Sequence, residues 1–175
     1  CLAEALQGRY DYMDGVVVAS TCPHIYQTFY SWQRHLPSDF SYHFWMPMNI
    51  RNRHAPGYVQ KQLSKLVRSL EDWTGEPIAP EALDRAIGQY NTNRDLLQKI
   101  NDLRRRDNPP LTGAQALEMA LSSMVMDKEE HNQLLTRALE ELQGGDGAKP
   151  ETRLMILGSE NDDVELIRLI ESMGA

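Results

Sequence analysis

Residues 14–32 read DGVVVASTCPHIYQTFYSW, and the order of residue types in this stretch decides the fold. Asp14-Gly15 is a turn signal, and Val16-Val17-Val18-Ala19 is a β-branched run short enough for a buried parallel strand that should end near Ser20. Pro23 suits the first turn of a helix, because the N–H it lacks would have had no partner there. Ile25, Tyr26, Phe29, Tyr30 and Trp32 then follow at mixed helical spacing. The stretch therefore reads strand, Thr21-Cys22 turn, helix. A second aromatic-rich run, Tyr42 to Met46, lies between Asp39 and Pro47 and reads as another strand, so residues 15–46 form one βαβ unit.

Downstream the period changes. Val59, Leu63, Leu66, Leu70 and Trp73 recur at alternating steps of four and three, which puts them on one helix face with Gly75 as the stop. Pro80 opens a second helix whose stripe is Leu83, Ala86, Ile87, Tyr90, Leu97, Ile100 and Leu103, ending before Asn108-Pro109-Pro110. Thr112 with Gln115, and Asp127 with Glu130, have capping-box spacing and predict two further helix starts. Gly144-Gly145-Asp146-Gly147 is a flexible break. After it, Leu154-Met155-Ile156-Leu157 predicts a strand and residues 162–173 a helix.

These elements predict an α/β chain. It comprises a truncated Rossmann- or flavodoxin-like parallel-sheet piece over 1–56, a mostly helical segment over 57–147, and the first strand and helix of a second α/β domain over 148–175. The chain opens on Cys1 and stops at Gly174-Ala175, where a further strand would be expected, and so reads as a piece of a longer polypeptide.

With 175 residues and a net charge of −7, the composition is that of a folded domain and not of a disordered chain. The acidic balance argues against a phosphate backbone, and hence nucleic acid, as the partner. No apolar run approaches the ~18 residues of a membrane span, and no signal peptide is legible. Two cysteines, Cys1 and Cys22, are too few for a disulfide framework, which predicts a reducing cytoplasm.

Several chemistries lack their motif. In GGDGAKP the lysine is followed by Pro150 and precedes a strand, so it is not a P-loop. Gly158 stands without the further glycines of a dinucleotide fingerprint. His24, His35, His43, His54 and His131 show no paired metal-ligand spacing and read as surface or packed histidines. Arg104-Arg105-Arg106 reads as a solvated helix end. Ser31 and Ser159 have no visible base.

Cys22 carries the information. It sits where a parallel strand hands over to a helix, at the carboxyl edge where open α/β sheets place ligands. There the helix offers free N–H groups and a partial positive charge that favour an anionic metal–thiolate group. The alternative is a cysteine packed as a small hydrophobe. Tyr26, Phe29, Tyr30, Trp32, Phe44 and Trp45 could wall a dry site, or simply be core.

The 14–32 string, preceded by Cys1, resembles the benzoyl-CoA reductase and 2-hydroxyglutaryl-CoA dehydratase family of iron–sulfur subunits. LEDWTGEPIAPEALDRAIGQYNTNRDLL at 70–97, NPPLTGAQAL at 108–117 and RLMILGSENDDVELIRLIESMGA at 153–175 look like the same family's helical linker and second α/β domain. The resemblance implies one [4Fe–4S] cluster held by three cysteines. Cys22 and Cys1 match the two from the first domain, and the third falls after Ala175, so the piece alone should hold no cluster and be inactive. Cys22-Pro23-His24 looks more like the reductase branch.

The resemblance further implies an oxidoreductase acting on an aromatic acyl-CoA; His24, in the first turn after the proposed ligand, is the candidate catalytic residue, and Tyr26 the candidate substrate contact. Its partners would be a homologous catalytic subunit and separate ATP-hydrolysing activator subunits. A 2-hydroxyacyl-CoA dehydratase subunit is the alternative enzyme, and a non-catalytic assembly subunit of the same fold is the alternative of another class.

Overall fold

In the computed structural model, strand β1 (Gly15–Ala19) pairs in parallel with strand β2 (Phe40–Phe44), Gly15 standing opposite Phe40 and Ala19 opposite Phe44. The structure describes residues 2–36, 38–147, 149–158 and 161–175. Parallel neighbours need a crossover, and helix α2 (Pro23–His35) supplies it, burying Phe29 and Trp32. The expected βαβ unit is present. Its second strand, however, is Phe40–Phe44 and not Tyr42–Met46. The N–H groups of Asp39 and Phe40 both donate to Asp14 O, at 3.1 and 3.3 Å, which pins the start of the register. Trp45 and Met46 then run past the ladder's last pair and have no strand opposite them.

The chain divides into two compact units, Cys1–Ile78 and Ala79–Ala175. In the first, the short helix α1 (Leu2–Leu6) precedes β1, and helix α3 (Ala55–Thr74) follows β2. Helix α3 starts at Ala55, ahead of the first stripe residue Val59, because Pro56 fits its first turn. It ends as expected at Gly75, whose φ of 75° favours glycine and whose N–H donates to Glu71 O at 2.9 Å. The apolar stripe of α3 is only partly covered. Trp73 stacks on Phe40 of β2 with ring centroids 4.7 Å apart, whereas Leu63 remains 49% exposed.

The second unit is helical. Helices α4 (Pro80–Leu103), α5 (Gly113–Val125) and α6 (Lys128–Gln143) enclose a core of Leu96, Ile100, Leu103, Leu111, Leu135 and Leu139. The expected stripe of α4 is buried only in its C-terminal half. Leu83, Ile87 and Tyr90 are exposed, and the row that faces the core includes the polar Asn93. Both predicted helix starts are present. Thr112 and Gln115 make the two reciprocal bonds of a capping box, while Asp127 accepts from the N–H groups of Glu129 and Glu130.

The arginine run and the glycine stretch turn out to be tied down. Arg106 donates to Gln143 O at 3.2 Å and Gly145 O at 3.5 Å, so it closes the end of α6 instead of lying free in solvent. A Cβ on Gly147 would collide with Pro109 O, so close packing, and not flexibility, requires glycine there.

Leu154–Leu157, expected as a strand, forms no ladder among the described residues, and Met155 and Leu157 are each 80% exposed. A strand exists only through the hydrogen bonds of a neighbour, and none of the described segments supplies one. The helix expected after it does form: Asp163 caps α7 (Val164–Ser172) by accepting from Leu166 N at 2.9 Å. That helix packs on α5, where the Glu171 carboxylate accepts from the N–H groups of Gly113 and Ala114.

Candidate functional site

At the carboxyl end of β1 the chain passes through Ser20, Thr21 and Cys22 into α2. Ser20 N donates to Phe44 O at 3.0 Å, extending the ladder by one bond, and Thr21 N folds back onto Ala19 O at 2.8 Å. Those two bonds turn the backbone so that Cys22 becomes the N-cap of α2, with φ −149° and ψ 158°. Its sulfur accepts from Ile25 N at 3.4 Å, and the residue is exposed. Within its unit Cys22 is therefore not a packed thiol. The first turn of α2 holds no acidic residue, and Arg34 and His35 occupy the last turn, so no carboxylate of the helix's own first turn opposes an anionic ligand at the N-terminus.

Beside this turn lies an aromatic cluster centred on a residue to which the sequence assigned no role, His43. Its Nε2 shares a hydrogen bond with Ser20 Oγ at 2.8 Å, and Nδ1 stands 3.5 Å from Tyr30 Oη. The imidazole lies 4.3 Å from the Trp45 ring, 5.4 Å from Phe29 and 5.6 Å from Tyr26. Tyr26 itself meets Tyr30 edge to face at 5.0 Å. Three elements converge here: β2 directs His43 toward α2, α2 contributes Tyr26, Phe29 and Tyr30 from successive turns, and the β1–α2 turn contributes Ser20.

Of the residues singled out in the sequence, the structure brings Tyr26 into this cluster and sets Cys22 one helical turn before it. His24 is exposed in the first turn of α2; its carbonyl accepts from Thr28 Oγ1 at 2.9 Å, and its ring makes no hydrogen bond among the described residues. Cys1 lies outside the described residues. The Ser20–His43 pair was missed because residues 23 apart meet only through strand register. Reading Gly15 against Phe40 would have found it, since Ser20 and His43 then fall at the same end of the ladder.

Sulfur is a soft donor, and Cys22 Sγ at the helix N-cap already accepts one N–H···S bond. Among the described residues no three histidine, cysteine or acidic side chains stand together as a metal cage. No described helix is long and apolar enough to cross a membrane.

The profile of the family described as 2-hydroxyglutaryl-CoA dehydratase, D-component, matches residues 1–175. The chain is 31% identical over 172 residues to a subunit of the benzoyl-CoA reductase of Thauera aromatica, an alignment covering 97% of this chain and 45% of that protein. It is 21% identical over 171 residues to the (R)-phenyllactyl-CoA dehydratase beta subunit of Clostridium sporogenes, covering 97% of this chain and 46% of that one. The chain thus spans somewhat less than half the length of these curated relatives. With the profile matched from end to end and the βαβ turn at Cys22 in place, the chain belongs to the 2-hydroxyglutaryl-CoA dehydratase D-component family.

Proposed function

We propose that this chain is part of an iron–sulfur catalytic subunit that transfers low-potential electrons to an aromatic acyl-CoA thioester, in the manner of an ATP-dependent benzoyl-CoA reductase. The observation that carries the reading is Cys22: an exposed thiol capping a helix at the carboxyl edge of a parallel pair, its sulfur accepting from Ile25 N. The 31% identity to a benzoyl-CoA reductase subunit supports the substrate class.

Cys22 and Cys1 would be two ligands of a [4Fe–4S] cluster, with a third thiolate contributed from outside this chain. A bound cluster supplies single electrons at low potential. The protein's part is to exclude water and orient the acyl group, which suits the wall formed by Tyr26, Tyr30 and Trp45. His24, in the first turn beyond Cys22, would donate to a cluster sulfur or a substrate carbonyl. As the family resemblance implies, ATP would be hydrolysed by separate activator subunits, and a homologous catalytic subunit would complete the complex.

The second reading, a 2-hydroxyacyl-CoA dehydratase subunit, draws on the family description and the phenyllactyl-CoA dehydratase relative. Incubating the complete complex with reductant, ATP and either thioester separates the two. Reduction of the aromatic acyl-CoA is expected, and turnover of the 2-hydroxyacyl-CoA alone would replace the reductase reading with the dehydratase one.

A further inference from the structure

His131 of α6 is 2% exposed, and the hydrogens around it can be counted. Ser122 Oγ lies 2.9 Å from both Met119 O, to which its hydroxyl can donate, and His131 Nε2, from which its oxygen can accept. At the other end, Asn132 Nδ2 gives its two hydrogens to Gln89 O at 3.0 Å and Gln89 Oε1 at 2.8 Å. That leaves Asn132 Oδ1 to accept from Asn93 Nδ2 at 2.8 Å, and the second hydrogen of Asn93 Nδ2 points to His131 Nδ1 at 2.7 Å. Nδ1 is an acceptor, so the imidazole is neutral and its one proton sits on Nε2, toward Ser122 Oγ.

The direction of this chain is fixed at one end by the backbone carbonyl of Gln89, which can only accept. A proton on Nδ1 would face an N–H of Asn93. Turning the Asn93 amide over would set its oxygen against Asn132 Oδ1, and turning Asn132 as well would face an oxygen toward Gln89 O. No rearrangement of the buried amides accepts the proton without losing a bond.

The electrostatic surroundings point the same way. On α6 the charge that acts on the ring is Lys128, whose Nζ donates to Ser123 O and lies 5.1 Å from the Tyr90 ring centroid. From α4 the ring is met by Asn93, with Gln89 beyond it, and from α5 by Ser122. These groups are uncharged. Of the acids close by in the chain, Glu129 and Glu130 are exposed in the first turn of α6, Asp127 caps that helix, Asp95 pairs with Lys99, and Glu118 pairs with Arg168. Among the described residues none makes a hydrogen bond or ion pair with His131. Burial, and then the charge of Lys128, hold the imidazole below its ordinary pKa.

We propose that the Ser122–His131–Asn93–Asn132 chain is an acid-sensitive clasp holding α5 and α6 to α4, closed while His131 is neutral and opened by its protonation. The proposal is independent of the redox reading, since it concerns only the helical unit. In the unfolded chain the imidazole takes up a proton as pH falls through about 6.5, whereas in the folded unit it does so only at lower pH. The folded state is therefore not penalised above that value and loses stability below it.

Urea unfolding of the 175-residue chain, followed by circular dichroism between pH 7.5 and 5.5, tests the clasp beside His131→Gln, which keeps a donor toward Ser122 and has no titration. The wild-type folding equilibrium should fall with acid more steeply than that of the variant, by up to about tenfold per pH unit for one proton. Equal slopes would overturn the proposal. Should the variant fail to fold, the imidazole ¹⁵N shifts of the wild type decide: a neutral Nε2–H ring at pH 6 supports the clasp, and a doubly protonated ring in the folded chain at pH 6 refutes it.

Discussion

Ser20 Oγ and His43 Nε2 meet at 2.8 Å across the ends of β1 and β2, fastening the residue that leaves the first strand to a side chain of the second. Cys22 follows two residues later, so the pair holds the turn that aims the thiol. Removing the hydroxyl in Ser20→Ala should cost about 1 kcal/mol, the usual net worth of such a bond. His43→Ala should cost more, because the ring also packs against Trp45, Phe29 and Tyr26. Denaturant midpoints of the two variants would give the order, and a larger loss in Ser20→Ala would show that packing around His43 contributes little.

Cys22 has two separable duties, capping α2 and, in the proposed function, binding iron. Serine is a good N-cap residue, so Cys22→Ser should leave the fold's stability within about 0.5 kcal/mol of wild type, whereas Cys22→Ala loses the acceptor for Ile25 N and should cost about 0.5–1 kcal/mol. In the complete subunit both substitutions should abolish cluster incorporation, because neither supplies a thiolate. Iron analysis of the Ser variant with a full complement of iron would remove Cys22 from the ligand set.

His24 should behave differently. Its side chain makes no hydrogen bond among the described residues, so His24→Ala ought to fold normally, keep its iron and turn over more slowly in the complete complex. Loss of the cluster in that variant would instead make His24 part of the metal's support.

The helical core separates buried from exposed positions along one helix. Ile100, 2% exposed, should cost about 2–5 kcal/mol on substitution by alanine, while Leu83, half exposed on the same helix, should change stability by less than about 1 kcal/mol in the isolated chain. A large effect at Leu83 would show that its face is covered in solution.

Glu171 anchors α7 by accepting from Gly113 N and Ala114 N at the start of α5. Glu171→Gln keeps an acceptor but removes the charge at that helix N-terminus, and should weaken docking by about 0.3–1 kcal/mol. Faster amide exchange confined to residues 164–172 is the expected readout; unchanged protection would assign the docking of α7 to its apolar face.

Local signals were legible in the chain residue by residue. Gly15, Pro23, Gly75, Pro80, Thr112 and Asp127 mark strand and helix ends through backbone constraints and side chains that act within one turn. The parallel βαβ unit and the position of Cys22 at its turn follow from the same signals. Whatever depends on a partner distant in the chain needed the folded molecule. Register moved β2 back to Phe40, because its first N–H groups bond Asp14 O. Leu154–Leu157 has the composition of a strand but no described neighbour to pair with. His43 and His131, alike in sequence as isolated histidines, became an edge-of-sheet hydrogen-bonding group and a buried neutral link, since an imidazole's role is set by what reaches its two nitrogens, and those partners lie 13 and 23 residues away for His43 and 9 and 38 for His131.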